Sequence, residues 1–288
     1  MQNKLVKGSD AVDFCVRMQP ILLNLDLARR IEWAEAQAGA AAAASLGKLK
    51  PAMGACVERI AGGWAAYAGA ASPVTQAMGL ALDGEPVSNE EFARLETFYC
   101  HRNEPVRVEA CPLAHATLFE QFGAARYRVT EFTNVMAQSV ANVAPAQRPN
   151  ANGIIVRHVS AAAVDLWTRT VATGFAEGQE PAEELLEVMK AFALADGVQC
   201  YLAEIDGRPA GGGALILRDG VAGLFGAGTL PEFRRRGVQT ELLSVRMRRG
   251  REAGCDLAVC LAQPGSSSQR NMVRHGFQVL YTRMKFEK

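Results

Sequence analysis

The second half of the chain predicts an α/β fold, with a mixed, largely antiparallel sheet flanked by helices. Three observations predict it. Asp206-Gly207 and Asp219-Gly220 separate three strand-like runs at 200–205, 212–217 and 221–228. Asp-Gly supplies the positive backbone angles of a two-residue hairpin turn, so these runs read as an antiparallel meander. A helix-like run over 238–253 follows and stops at Gly254, a residue suited to a left-handed C-cap. More strand material, 257–261, comes after that helix. A meander, a helical crossover and a further strand make a mixed sheet with helices on its faces.

The remaining elements follow in order. Residues 154–159 read as a strand and 164–175 as a helix. A second helix, 181–194, carries Pro181 in its first turn, with Glu183 and Glu184 near the positive end of the dipole. A short helix over 267–274 ends at Gly276-Phe277, and 278–286 closes with strand.

A chain of 288 residues has the length of two ordinary domains. The stretch from Ala141 to Gly153, ANVAPAQRPNANG, holds two prolines and three asparagines without an apolar run, and reads as a linker. The expected division is therefore 1–140, a linker at 141–152, and 153–288. A net charge of +1 gives no global field toward nucleic acid or an anionic membrane. No apolar run has bilayer length, and the first 14 residues carry Asp10 and Asp13 rather than a signal peptide's apolar core. Seven cysteines without zinc-ligand spacing read as reduced thiols. These features point to the cytoplasm and to no metal.

The densest functional signal is Arg234-Arg235-Arg236-Gly237-Val238-Gln239-Thr240, between a strand and a helix. The first N–H groups of a helix lack internal partners and lie at the positive end of its dipole, which suits a phosphate. Gly237 lets a ligand approach the main chain. The seven arginines between Arg234 and Arg251, against the single acid Glu241, also suit a solvated face. A nucleic-acid helix fits less well, because no aromatic residue interleaves them. A nucleotide-triphosphate loop is excluded by the missing Gly-x-x-x-x-Gly-Lys pattern. Gly211-Gly212-Gly213 leads into no helix and reads as the start of a strand.

The order of elements, together with Arg234-x-x-Gly237-x-Gln239, resembles the GNAT superfamily of acyl-CoA-dependent N-acyltransferases. That family's acyl-CoA loop is usually written Gln/Arg-x-x-Gly-x-Gly/Ala. Thr229-Leu230-Pro231 lies where the family ends its fourth strand, beside the pantetheine arm, and Gly276-Phe277 matches the Gly-Phe after its last helix. The resemblance spans roughly residues 153–286. It implies that the main-chain amides of Arg235, Arg236, Gly237, Val238, Gln239 and Thr240 cradle the pyrophosphate of coenzyme A. It implies that Thr229 and Leu230 pair with pantetheine through their backbone, and that Ser268 and Asn271 touch the cofactor. Two positions depart from the family. Gln239 stands where glycine or alanine is usual. Met272 stands where the family often has a tyrosine, the general acid for the departing thiolate, so that assignment has no residue to carry it here.

The first half is less explicit. An alanine-rich helix fits 27–46, with Leu27, Ile31, Ala34 and Ala38 on one face. Strand, helix, strand, helix and strand then fit 75–82, 89–101, 106–110, 114–123 and 127–136. Val108-Glu109-Ala110-Cys111-Pro112 parallels Cys260-Leu261-Ala262-Gln263-Pro264, and a degenerate copy of the same GNAT-like fold, in tandem, is expected. In place of the phosphate loop this half has Asp83, Glu85, Glu90 and Glu91, with Pro86 lacking an amide donor. It is expected to shape the acceptor side of a cleft rather than to bind coenzyme A.

The expected activity is N-acyl transfer from acetyl-CoA or another acyl-CoA to a small-molecule or peptide amine, by a monomer or homodimer. A non-catalytic acyl-CoA-binding or regulatory module is the alternative. Glu177 and Glu180 are candidate bases and Tyr281 a candidate proton donor, with His158 and His275 weaker. Each also fits a plain structural role, and no residue is assigned to catalysis.

Overall fold

A computed structural model describes residues 20–70, 72–141 and 153–288. The first half contains α1 (Leu25–Leu49), β1 (Cys56–Ile60), β2 (Gly63–Tyr67), β3 (Gln76–Met78), α2 (Asn89–Cys100), β4 (Arg107–Ala110), α3 (Ala116–Ala124) and β5 (Arg128–Ser139). The second contains β6 (Ile154–His158), α4 (Val164–Phe175), α5 (Glu183–Ala193), β7 (Val198–Ile205), β8 (Arg208–Arg218), β9 (Val221–Thr229), α6 (Val238–Glu252), β10 (Leu257–Ala262), α7 (Ser267–Arg274) and β11 (Gln278–Glu287). Nearly all of the expected linker lies outside the described residues.

Local chemistry sets these boundaries. Asn24 caps α1, its side-chain oxygen accepting from the Leu27 amide at 2.8 Å. Asp206 and Gly207, then Asp219 and Gly220, all take positive φ in tight turns between β7, β8 and β9. The hairpin of β1 and β2 is absent from the sequence reading. Its turn residues are Ala61 (φ 45°) and Gly62 (φ 76°), and alanine at the first place hides the usual Asn-Gly signal. The expected strand over 75–82 is only Gln76–Met78. Gly79 turns left-handed there (φ 72°), and its carbonyl accepts from the Trp33 indole at 3.2 Å.

Among the described residues, eleven strands form one mixed, mainly antiparallel sheet in the order β1-β2-β3-β4-β11-β5-β10-β9-β8-β7-β6. Its centre shows how the two halves join. The last strand of the first half, β5, lies between β10 and β11 of the second. In return, β11 lies between β4 and β5 of the first. The segments β3-α2-β4-α3-β5 and β9-α6-β10-α7-β11 share one element order, and each lends its last strand to the other. The cores are mixed in the same way. Val135 and Ala137 of β5 pack in one cluster with Val221, Leu257 and Tyr281, while their neighbour Met136 points into the cluster around Leu242 and Phe277. Period-two alternation along β5 thus feeds a core on each face.

The Gly211-Gly212-Gly213 run lies inside β8, not in a ligand loop. A Cβ on Gly212 would stand 2.7 Å from the Trp167 indole nitrogen, and one on Gly213 2.7 Å from the Arg246 guanidinium carbon. Helix α4 packs on one face of the sheet and α6 on the other, so only glycine admits both.

Candidate functional site

Strands β9 and β10 run parallel from Val221 with Leu257 to Leu224 with Cys260, and then part. The cause is a bulge in β9. The register against β8 slips between Gly212 and Ala214, and Gly226 there adopts φ 54°. Arg246 of α6 fixes the bulge from below, its Nη1 donating to the carbonyls of Ala214 (3.0 Å) and Phe225 (3.4 Å). Burial pushes this guanidinium down to about 10, so it stays charged at neutral pH. Strand β10 meanwhile keeps pairing with β5 through Ala262. The fork opens into a cleft of about 1230 Å³ that both halves line.

At one end of the cleft the chain turns into α6. Arg235 (φ 60°) and Gly237 (φ 94°) are left-handed on either side of Arg236. Alternation of this kind aims successive N–H groups into one concavity. Gly237 is the N-cap of α6 and offers no side-chain cap. The amides of Arg235, Arg236, Gly237, Gln239 and Thr240 donate to no acceptor among the described residues; the first such bond beyond them is Glu241 to the Gly237 carbonyl, 3.1 Å. The side chain of Arg234 serves the loop instead. It donates to Glu177 at 2.5 Å and to the Gly174 carbonyl at 3.3 Å, tying the loop to the end of α4.

Most of the other residues singled out in the sequence line the cleft. Thr229, Arg235, Gly237, Val238, Gln239, Thr240, Ser268, Asn271 and Met272 all line the cleft. Leu230 and Arg236 do not. The Leu230 amide donates to Ala210 and its carbonyl accepts from Phe233, both at 3.0 Å, and the Arg236 guanidinium lies 5.6 Å from the Phe233 ring. Gln239 reaches back to donate to the Thr229 hydroxyl at 2.8 Å. A glycine or alanine could not make that tie.

The candidate acid–base groups mostly fall elsewhere. Arg234 holds the Glu177 carboxyl below its ordinary range, which weakens it as a base. Glu180 pairs with Arg169 on the surface. His158 stacks edge-on against Tyr201, and His275 shares a hydrogen bond with Thr240 at 3.1 Å. Tyr281 is buried, donating to Glu32 at 2.9 Å, and burial raises its phenol well above the usual range.

The opposite end of the cleft was missed by sequence reasoning. Helix α1 places Glu35 there and β4 places Glu109. Both accept from Arg283, at 2.6 and 3.0 Å, and Lys285 donates to Glu109 and Glu131. No motif marks these residues, because α1, β4 and β11 meet only through the strand exchange. Among the described residues no cluster of three or more His, Cys, Asp or Glu side chains is placed to hold a metal ion. No described helix is long and apolar enough to cross a membrane.

Residues 164–277 match the acetyltransferase (GNAT) family. The matched segment runs from the start of α4 to the residue before β11. No curated protein matches the chain in sequence. Among solved structures, a GCN5-related N-acetyltransferase from Kribbella flavida aligns over 86% of this chain and 95% of its own, at 16% identity and a TM-score of 0.61. A tandem GNAT protein from the clavulanic acid biosynthesis pathway aligns over 78% and 77%, at 12% identity and 0.52. A conserved protein of unknown function from Staphylococcus epidermidis aligns over 71% and 81%, at 14% identity and 0.51. At these identities the likeness is one of fold, and it reaches beyond residues 164–277 into the first half. The fold is thus GNAT-like and tandem, and it is one that supports acyl transfer from acyl-CoA.

Proposed function

We propose that the protein is an N-acyltransferase that moves the acyl group of acetyl-CoA or a related acyl-CoA to an amine. One observation carries the reading: the amides of Arg235, Arg236, Gly237, Gln239 and Thr240, without acceptors among the described residues, belong to a loop that borders a cleft beginning where β9 and β10 part. The pyrophosphate of coenzyme A would take those amides, since a helix start with free N–H groups is a ready anion site. Ser268 and Asn271 would contact the cofactor from α7. The pantetheine arm would lie along the edge of β9 that β10 leaves bare, beyond Leu224. Main-chain N–H groups on that edge would polarise the thioester carbonyl as the tetrahedral oxyanion forms.

Met272 favours a second reading, an acyl-CoA-binding module without chemistry. It packs against the second core while lining the cleft, and it has no proton to give a leaving thiolate. Two measurements on the full chain separate the readings. Calorimetric titration with acetyl-CoA tests the site, and release of free thiol over a panel of amines tests the chemistry. Binding with amine-dependent thiol release supports the enzyme. Binding alone supports the module, and no binding overturns both.

A further inference from the structure

The cleft has chemically opposite ends. The loop end offers free amides, with Arg235 and Arg274 beside them. The far end offers the carboxylates of Glu35 and Glu109, held by two cations. Arg283, 1% exposed, donates to Glu32 (3.1 Å), Glu109 (3.0 Å) and Glu35 (2.6 Å), and Lys285 bridges Glu109 and Glu131. Two cations therefore serve four acids. Burial pushes Glu32 up to about 7, and its Oε2 is buried without a hydrogen-bond partner. Glu131 is partly exposed and lies outside the cleft, so with Glu32 protonated Glu35 and Glu109 balance the two cations, and any oxygen these carboxylates leave unengaged in the cleft is the place for a cationic ligand. Much of the remaining lining is apolar, with Trp64, Met78, Phe175, Met189, Phe192 and Phe225. On the α1 side Ala34, Ala38 and Gly39 leave room, and a Cβ on Gly39 would meet nothing within 4 Å.

The carboxylates are not equivalent. Both oxygens of Glu109 are engaged, Oε2 by Arg283 and Oε1 by Lys285. Glu32 is fully buried and lies outside the cleft lining. Glu35 uses only Oε2, and its side chain keeps 17% exposure. Its helix lies against β9. Its charge also adds to burial in raising the thiol of Cys260, the β10 residue at which the fork begins. Glu35 is therefore the one carboxylate of the cluster with a free oxygen in the cleft and a place near the fork.

We propose that the acceptor is a primary amine on an apolar aromatic or long-alkyl body without an acid group, and that Glu35 receives its ammonium and takes one of its protons. This rests on the acyltransferase reading above. The neutral amine then attacks the thioester carbonyl. The C–N bond forms and the C–S bond breaks, the second amine proton passes to the departing thiolate, and Glu35 returns its proton to water. An acceptor carrying its own carboxylate would set that group against Glu35 and Glu109.

The test uses the full chain, acetyl-CoA, and 2-phenylethylamine, tryptamine and octylamine as acceptors, with L-phenylalanine as the acid-bearing counterpart of the first. The amines should be acetylated, and L-phenylalanine should have a kcat/KM at least about 100-fold lower than 2-phenylethylamine. Glu35→Gln should lower kcat/KM for the amines at least about 100-fold, the range of a lost general base. Its Kd for acetyl-CoA should stay within about twofold, which also reports that the variant is folded. Equal use of L-phenylalanine and 2-phenylethylamine overturns the proposal, whatever the variant does. So does a Glu35→Gln enzyme as fast as the unaltered one, or acetyl-CoA binding without turnover of any of the three amines. Failure of the unaltered chain to bind acetyl-CoA overturns the acyltransferase reading instead.

Discussion

Two loops hold equivalent places in the two halves, one from β3 to α2 and one from β9 to α6, and they use their backbones in opposite ways. The first is sewn to its own half. The Ala81 carbonyl accepts from the His115 amide at 2.8 Å, the Val87 amide donates to Thr117 at 2.9 Å, and the Val87 carbonyl accepts from Gln121 at 2.7 Å. Ser88 caps α2 through the Glu91 amide, and Asp83 takes the Glu85 amide. The second loop leaves the amides of Arg235, Arg236, Gly237, Gln239 and Thr240 open and puts a bare glycine at the helix cap. One element order thus carries a closed, acidic loop and an open, basic one. Binding lives in the loops, while the shared order of strands serves the sheet. The first half does contribute to the cleft, but from its fork: Glu109 sits where β3 and β4 pair, in the strand that parallels β10.

The comparison breaks most completely if the halves are separated. Residues 153–288 alone lose β5, which fills the gap between β10 and β11 and pairs with both. Two long edges and the mixed core would be bared, a template for aggregation. That fragment should give no cooperative thermal transition and should not remain monodisperse. A fragment that melts cooperatively as a monomer would show that the strand exchange is dispensable.

Within the intact chain, the largest expected effect is at Gly237. Glutamate there must hold the left-handed angle of 94°, a strain of about 1–3 kcal/mol, and places a carboxylate where phosphate is expected. Calorimetry should find one acetyl-CoA per chain, and Gly237→Glu should weaken it at least about 100-fold with the fold intact by circular dichroism. A second site, or one that survives the substitution, would mean that the closed loop of the first half binds too.

How much of this was legible in the sequence differs between the halves for physical reasons. The second half announces itself through local signals: Asp-Gly turns, a C-cap glycine, and a loop whose residues act through main-chain amides next to one another in the chain. The first half hides its opening hairpin behind Ala61, an unusual residue at positive φ. The Glu35, Glu109 and Arg283 cluster joins residues from three distant elements, and no spacing rule connects them. The alanine run of α1 shows as a helix former in sequence, while its role as the small-residue wall of the cleft appears only once the helix is placed across both halves. The backbone of Leu230 shows a detail of the same kind. It follows the end of β9, and its two backbone groups are engaged by Ala210 and Phe233.

The seam between the halves makes a smaller, pH-dependent prediction. The Glu32 pKa is raised to about 7 from an ordinary 4.5, chiefly by burial, with Arg283 opposing and Glu35 adding. Between those values the folded protein holds a proton that the unfolded chain has released, so stability falls as pH rises through that window. The cost is up to about 3 kcal/mol. Glu32→Gln removes the titration and keeps an acceptor for Tyr281. The difference in melting temperature between variant and unaltered chain should therefore shift in the variant's favour from pH 5 to pH 8. A difference that does not change with pH would place the charge of Glu32 elsewhere in the cluster.

The smallest effect is expected at Met272, and it sharpens the contrast between what the second half keeps and what it has lost. The side chain lines the cleft and packs on the core around Leu242 and Phe277. Leucine is close in volume and equally without a proton, and such swaps usually cost less than about 1.5 kcal/mol. If the thiolate leaves without an acid at this position, Met272→Leu should change kcat less than about threefold and leave the Kd for acetyl-CoA unaltered. A drop of 100-fold at normal affinity, the order of a lost proton transfer, would show that the thioether's shape sets the position of the thioester or of its attacking amine. The place of the missing acid would then be filled by packing, and the search for a proton donor would move to the hydroxyls of Ser267 and Ser268, which face the same cleft.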